Sequence, residues 1–186
     1  MMISFKMKEP KYFILSLVVL FSYLGINIFI RLHGAFFYIN TTPSQPLGIY
    51  QALKFDGRLE TGDLVIFKPP QKIHPYVYGR GWMKEGELML KNVGALPGDI
   101  YEVTDEAIMI NGQHVGPIAT VDRKGLPLPR LRGRFKVKEG EFLPISTHIP
   151  NSFDGRYFGA VSTKQIKAKA VLVYKFKNQK KTNTGN

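Results

Sequence analysis

The 186-residue chain contains no cysteine, and its four histidines, His33, His74, His114 and His148, fall at no paired spacing. Cysteine nucleophiles, thiol redox chemistry, disulfides and Cys-ligated zinc are excluded; metal ligation has little support, and no histidine presents itself for a Ser-His-Asp triad. No glycine-rich phosphate loop opens a helix. A nucleophile would have to be Ser or Thr, working with a base other than histidine. Lysine can be that base only in an apolar pocket, because its ordinary pKa of about 10.4 must fall by several units before it accepts a proton near neutrality.

Two segments meet these requirements. Ser44 lies in Asn40-Thr41-Thr42-Pro43-Ser44-Gln45-Pro46-Leu47-Gly48-Ile49-Tyr50. Pro43 and Pro46 stiffen the backbone on both sides and Gly48 permits close approach, so the loop is suited to presenting a hydroxyl. Lys91 lies in Leu88-Met89-Leu90-Lys91-Asn92-Val93-Gly94-Ala95-Leu96-Pro97-Gly98-Asp99, flanked by apolar residues on an expected buried strand. Each has a plainer reading when taken singly: a Pro-rich linker for the first, a snorkelling edge lysine for the second.

The elements that must position these residues follow from composition and patterning. Tyr12 to Ile30 runs nineteen residues without a charge, nearly enough at about 1.5 Å per residue to cross a hydrocarbon core of about 30 Å. It exits through Ile30-Arg31-Leu32-His33 rather than a small-residue cleavage site, which favours an uncleaved anchor over a signal peptide. Lys6, Lys8 and Lys11 precede it and only Arg31 closely follows, placing the N-terminus in the cytoplasm. The expected divisions are a cytoplasmic N-terminus (1–11), a transmembrane anchor (12–32), a domain across the membrane (33–174) and a basic, disordered tail (175–186).

Hydrophobic residues make up 44%, with Gly 18 and Pro 12, which suits short strands and many turns. Apolar runs at Leu64 to Phe67, Leu88 to Val93, Ile108 to Ile110 and Ala170 to Tyr174 are bounded by Gly, Pro, Asp or Asn. Asn111-Gly112 between apolar runs is a hairpin signal, since both central residues of a type I′ turn need positive φ. The fold class expected is mainly β, antiparallel, after one N-terminal helix. Of the net charge of +12, two belong to residues 1–30, leaving ten beyond the anchor. Nucleic acid is then a poor partner. The Lys164, Lys167, Lys169, Lys175, Lys177, Lys180 and Lys181 cluster suits a solvated strand running into the tail, or contact with membrane lipid.

Together and in order, four blocks resemble the signal peptidase I superfamily of Ser-Lys membrane proteases: the serine block; Gly62-Asp63-Leu64-Val65-Ile66-Phe67-Lys68-Pro69; Lys91 through Leu96-Pro97-Gly98-Asp99; and Asn151-Ser152-Phe153-Asp154-Gly155-Arg156-Tyr157-Phe158-Gly159-Ala160-Val161. The chain departs from ordinary signal peptidase I in four ways. Its serine is not followed by M-x-P, Phe142-Leu143-Pro144-Ile145-Ser146 stands where G-D-N is usual, a single anchor is expected, and Asp99 to Glu141 is too short for a large inserted β domain. These features resemble the TraF-type conjugative transfer peptidases, which mature pilin subunits and in some systems join their ends into a ring.

The resemblance implies Ser44 as nucleophile and Lys91 as general base, 47 positions apart. It implies an oxyanion site from the Ser44 N–H and the Thr42 hydroxyl, with Ser152 orienting Lys91. Asp154 and Arg156 are implied as a supporting ion pair, with Asp154 counted among the catalytic residues; both could instead merely shape a turn. No cofactor and no metal are implied. The implied partners are a pilin-like precursor protein and membrane lipid, and the implied location is the bacterial inner membrane with the domain in the periplasm. An acyl-enzyme could be resolved by water or by a substrate amine, and that choice stays open. A non-catalytic component of a conjugation or secretion apparatus, or a general signal peptidase I, are the alternatives.

Overall fold

The uncharged run forms a helix somewhat longer than the expected span, α1 (Pro10–His33), in a computed structural model that describes residues 10–33 and 36–176. Proline suits the helix start because its missing N–H would have had no intrahelical partner there. Twenty-four residues reach about 36 Å, and the window Lys11–Phe29 has a mean hydropathy of 2.1 with none of it buried. It is long and apolar enough to cross a membrane. Two polar side chains within it bond their own helix: Ser16 Oγ donates to Phe13 O at 2.7 Å and Asn27 Nδ2 to Tyr23 O at 2.8 Å. Such bonds let polar residues sit where no water reaches. The flanking Lys6 and Lys8, and the tail beyond Phe176 with its expected disorder, lie outside the described residues.

Among the described residues, 37–176 form a separate unit that is mainly antiparallel β. Its strands are β1 (Phe36–Asn40), β2 (Gly48–Lys54), β3 (Leu64–Phe67), β4 (Met89–Ala95), β5 (Ile100–Val103), β6 (Ala107–Ile110), β7 (Gln113–Pro117), β8 (Gly133–Lys136), β9 (Glu141–Ile145), β10 (Val161–Ser162) and β11 (Ile166–Lys175). The main sheet has the order β1-β2-β11-β3-β4-β9-β10. Each of the four expected apolar runs contributes to a strand: β3, β4, β6 and the C-terminal half of β11. Helix is confined to single turns, including α2 (His74–Val77) and α3 (Gly155–Phe158).

Between β4 and β9 the chain leaves the main sheet and builds a second one, β7-β6-β5-β8. The stretch too short for a large domain thus still forms four strands. Asn111 (φ 49°) and Gly112 (φ 80°) make the expected β6–β7 turn. The Asn111 side chain also accepts from Ile100 N at 2.9 Å and donates to Asp99 Oδ1 at 2.8 Å, tying the hairpin to the Pro97-Gly98-Asp99 turn. β8 is not among the expected strands, although Arg130, Arg132, Arg134, Lys136 and Lys138 alternate through it. Their side chains are exposed, while Leu131, Phe135 and Val137 pack into the core below. β8 is an edge strand, and a row of charges on an edge discourages pairing with another chain.

At the other end of the main sheet, β2 and β11 approach closely at Gly48. A Cβ there would lie 2.1 Å from Tyr174 O, so only glycine fits without moving backbone. Gly48→Ala is expected to destabilise the domain by about 2–3 kcal/mol, the scale of overpacking, or roughly 5–10 °C in melting temperature. An unchanged thermal melt would show that the two strands do not meet this way.

Candidate active site

The side chains of β4 alternate across the sheet, so Lys91 shares a face with Met89 and Val93, both part of the core built around Val65, Phe67 and Phe142. Lys91 is paired in register with Val65 and is only 4% exposed. Its pKa is lowered from 10.5 to about 8, chiefly by burial, with Asp154 opposing the shift and Arg156 adding to it. Its Nζ donates to Ser152 Oγ at 2.8 Å, and Ser152 is buried as well.

Ser44 sits half-buried in the loop between β1 and β2. Buried Asn40, at the end of β1, organises that loop. Its amide nitrogen reaches the carbonyls of Thr42, Gln45 and Pro46 at 2.9, 3.0 and 3.1 Å, and its Oδ1 accepts from Thr42 N and Thr42 Oγ1. Tyr50 OH adds a 2.6 Å bond to Pro46 O. Gln45 Nε2 donates to Asn92 Oδ1 at 2.7 Å, fastening the loop to β4 one residue from Lys91. Asn40 was legible only as the first residue of the serine block, and nothing local signalled the Gln45–Asn92 link.

Thr42 Oγ1 lies 3.4 Å from Ser44 Oγ. The one hydroxyl proton of Thr42 is given to Asn40 Oδ1 at 2.8 Å, so in this arrangement Thr42 can only accept from Ser44. To donate to an oxyanion it must release Asn40. Among the described residues no hydrogen bond takes the Ser44 N–H, which leaves that donor available.

Asp154 and Arg156 are completely buried and face each other, Arg156 Nε to Asp154 Oδ1 at 2.8 Å. Asp154 also caps α3 through Arg156 N. The guanidinium uses all five of its donors: Nη1 on Pro117 O and Pro150 O, Nη2 on Ser146 O and Asp154 Oδ2, Nε on Asp154 Oδ1. α3 presses against β9 at Gly155, where a Cβ would lie 2.7 Å from Pro144 O.

Ser44, Thr42, Lys91 and Ser152 line one cavity of about 680 Å³, whose walls include Val77, Trp82, Met83, Phe153 and Tyr157. Arg80 joins the two loops that form much of that wall. Its guanidinium lies over the Tyr76 ring and pairs with Asp122 at 2.7 Å and Pro127 O at 2.7 Å. Ser44 and Lys91 thus share a cavity while bonded to other partners, Thr42 and Ser152. Asp154 and Arg156 are not among the residues lining it. The site can hold a hydroxyl and a desolvated amine on the wall of an apolar cleft roomy enough for a peptide.

Residues 11–175 match the model of the signal peptidase family, peptidase S26, and the chain belongs to that family. Among its relatives, the plasmid transfer protein TraF of Escherichia coli is 36% identical over 138 residues, covering 69% of this chain and 77% of that one. The conjugal transfer protein TraF of Agrobacterium fabrum is 30% identical over 147 residues, 74% and 82% of the two chains. Signal peptidase I of Bacillus licheniformis is 27% identical over 135 residues, 69% and 66%.

Proposed function

We propose that this protein is a membrane-anchored serine endopeptidase in which Ser44 and Lys91 form a catalytic dyad that processes exported precursor proteins, pilin-like subunits of a conjugative transfer system. The observation that carries this reading is Lys91: a lysine buried in the core, with its pKa near 8, on the wall of the cavity that Ser44 also lines. A protein that served only as a docking component would have no use for such a costly group.

Neutral Lys91 takes the Ser44 proton as Oγ attacks the scissile carbonyl, and then gives it to the leaving amine as the acyl-enzyme forms. The oxyanion is held by the free Ser44 N–H, joined by Thr42 once its hydroxyl turns from Asn40. Ser152 holds the amine in place, and Asp154 and Arg156 set its charge balance from behind. The acyl group on Ser44 passes to water, giving cleavage, or to a substrate amine, giving a joined product.

The conjugative assignment rests on the TraF relatives. α1 serves as a single-pass anchor with its N-terminus in the cytoplasm and the catalytic domain in the periplasm, in keeping with the preceding lysines. Exposed Phe37, Ile39, Val171 and Val173 on β1 and β11 suit contact with lipid.

Co-expression with a candidate pilin precursor, followed by mass measurement, tests the function. The mature product should appear with the wild-type chain and not with Ser44→Ala. Hydrolysis adds the mass of water to the summed fragments, whereas joining the ends does not. An unprocessed precursor with every candidate would favour the docking role.

A further inference from the structure

Ser146 follows β9 directly, is completely buried, and spends each of its polar groups on a part of the site. Its N–H donates to Asp154 Oδ2 at 2.9 Å and its carbonyl accepts from Arg156 Nη2 at 2.9 Å. Its hydroxyl donates to the backbone carbonyl of Ser44, 102 positions earlier in the chain. β9 itself is fixed to β4, with Ile145 opposite Asn92, and Asn92 holds Gln45.

The serine loop therefore has two kinds of support. Asn40 gathers the carbonyls of Thr42, Gln45 and Pro46 from within the loop. The carbonyl of Ser44 is the one in this turn taken by a side chain from the far side of the site. Fixing that carbonyl restrains the Ser44–Gln45 peptide plane, which includes the Cα from which the Ser44 side chain leaves.

We propose that Ser146 is a positioning residue for the nucleophile, transmitting the rigidity of the buried Asp154–Arg156 pair to the backbone of Ser44. This rests on the reading of Ser44 as nucleophile. Ser146 touches neither Lys91 nor Ser152 through a hydrogen bond, so its effect reaches the reaction through Ser44 alone. Asp154 then serves the site twice: by its field at Lys91, and through Ser146 at Ser44.

The test uses the full chain, purified with its helix, and a peptide spanning the cleavage site mapped by the co-expression experiment. Ser146→Ala is expected to lower kcat by about 10- to 100-fold, the scale on which displacement of a reacting group is felt. KM should stay within about twofold and the pH midpoint should not move, because the binding cleft and the surroundings of Lys91 are unchanged. A purely structural role would lower the melting temperature and leave kcat of the folded fraction at the wild-type value, and that result overturns the inference. So does a shifted pH midpoint, which would mean that Ser146 acts through Lys91. Ser146→Cys keeps the volume and weakens the donor; should the alanine variant not fold, a reduced kcat in the cysteine variant supports the inference and a wild-type kcat overturns it. Activity surviving in Ser44→Ala removes both the nucleophile reading and this inference. An inactive Ser44→Ala beside a fully active Ser146→Ala removes the inference alone.

Discussion

Lys91→Met is expected to abolish processing and, at pH 7, to make the protein more stable. A buried amine whose pKa falls from 10.5 to about 8 is a group that folding disfavours in its charged form. Between pH 8 and 10.5 the unfolded chain binds the proton that the folded chain has shed, so stability rises with pH through that window and the deficit is complete below it. The deficit is about 3 kcal/mol at neutral pH. Methionine fills a similar volume without a charge, and leaves the Ser152 hydroxyl without its partner at a cost of about 1–2 kcal/mol. The net gain of about 1–2 kcal/mol should raise the melting temperature by roughly 3–6 °C, and the advantage should disappear by pH 10.5. Activity has the same origin: kcat/KM of the wild type should climb through a midpoint near pH 8 as Lys91 loses its proton. Full processing by Lys91→Met, or a rate that falls as pH rises through 8, would point to another base. A melting temperature lowered at pH 7 would mean that the amine is not held desolvated.

What could be read from the residues in order was whatever depends on near neighbours. The α1 helix announces itself by an unbroken apolar run, the β6–β7 turn by Asn111-Gly112, and the strand carrying Lys91 by the apolar residues beside it. Lys91 becomes a base candidate from this local information, because a lysine inside a buried strand must be either satisfied or neutral. β8 carries an equally local signal, the alternation of Arg130, Arg132, Arg134, Lys136 and Lys138. It was hidden by its charge: read as composition, the segment resembles a basic loop, and only the packing of Leu131, Phe135 and Val137 beneath it reveals the strand. The supports of the serine loop had no such signal. Gln45 reaches Asn92 across 47 positions and Ser146 reaches Ser44 across 102. These pairs join the loop between β1 and β2 to β4 and to the residue after β9, strands that lie side by side in the sheet, an adjacency set by the whole fold and invisible in any window of sequence. The Thr42 hydroxyl shows the same limit at short range. The family resemblance implies an oxyanion donor at this position, but the loop directs its proton to Asn40.

The largest loss of stability is expected from Arg156→Met. The guanidinium is 1% exposed, and its removal leaves the Asp154 carboxylate buried without its ion-pair partner and the carbonyls of Pro117, Pro150 and Ser146 with one donor fewer each. Breaking a buried pair from one side typically costs about 3–5 kcal/mol, or roughly 6–20 °C in melting temperature for a chain of this size. Asp154→Asn keeps the shape, but it leaves the buried guanidinium without its carboxylate and turns an amide NH2 toward donors from which one of the two Asp154 oxygens now accepts, so its melting temperature should fall as well. The two variants should then move the activity profile in opposite directions. Asp154 raises the pKa of Lys91 and Arg156 lowers it, so the midpoint near pH 8 should fall in Asp154→Asn and rise in Arg156→Met. Measured on the folded fraction of each variant, movements of opposite sign would establish that the pair sets the protonation of Lys91 as well as bracing the fold. Midpoints that stay together while both melting temperatures drop would confine Asp154 and Arg156 to bracing the turn before α3.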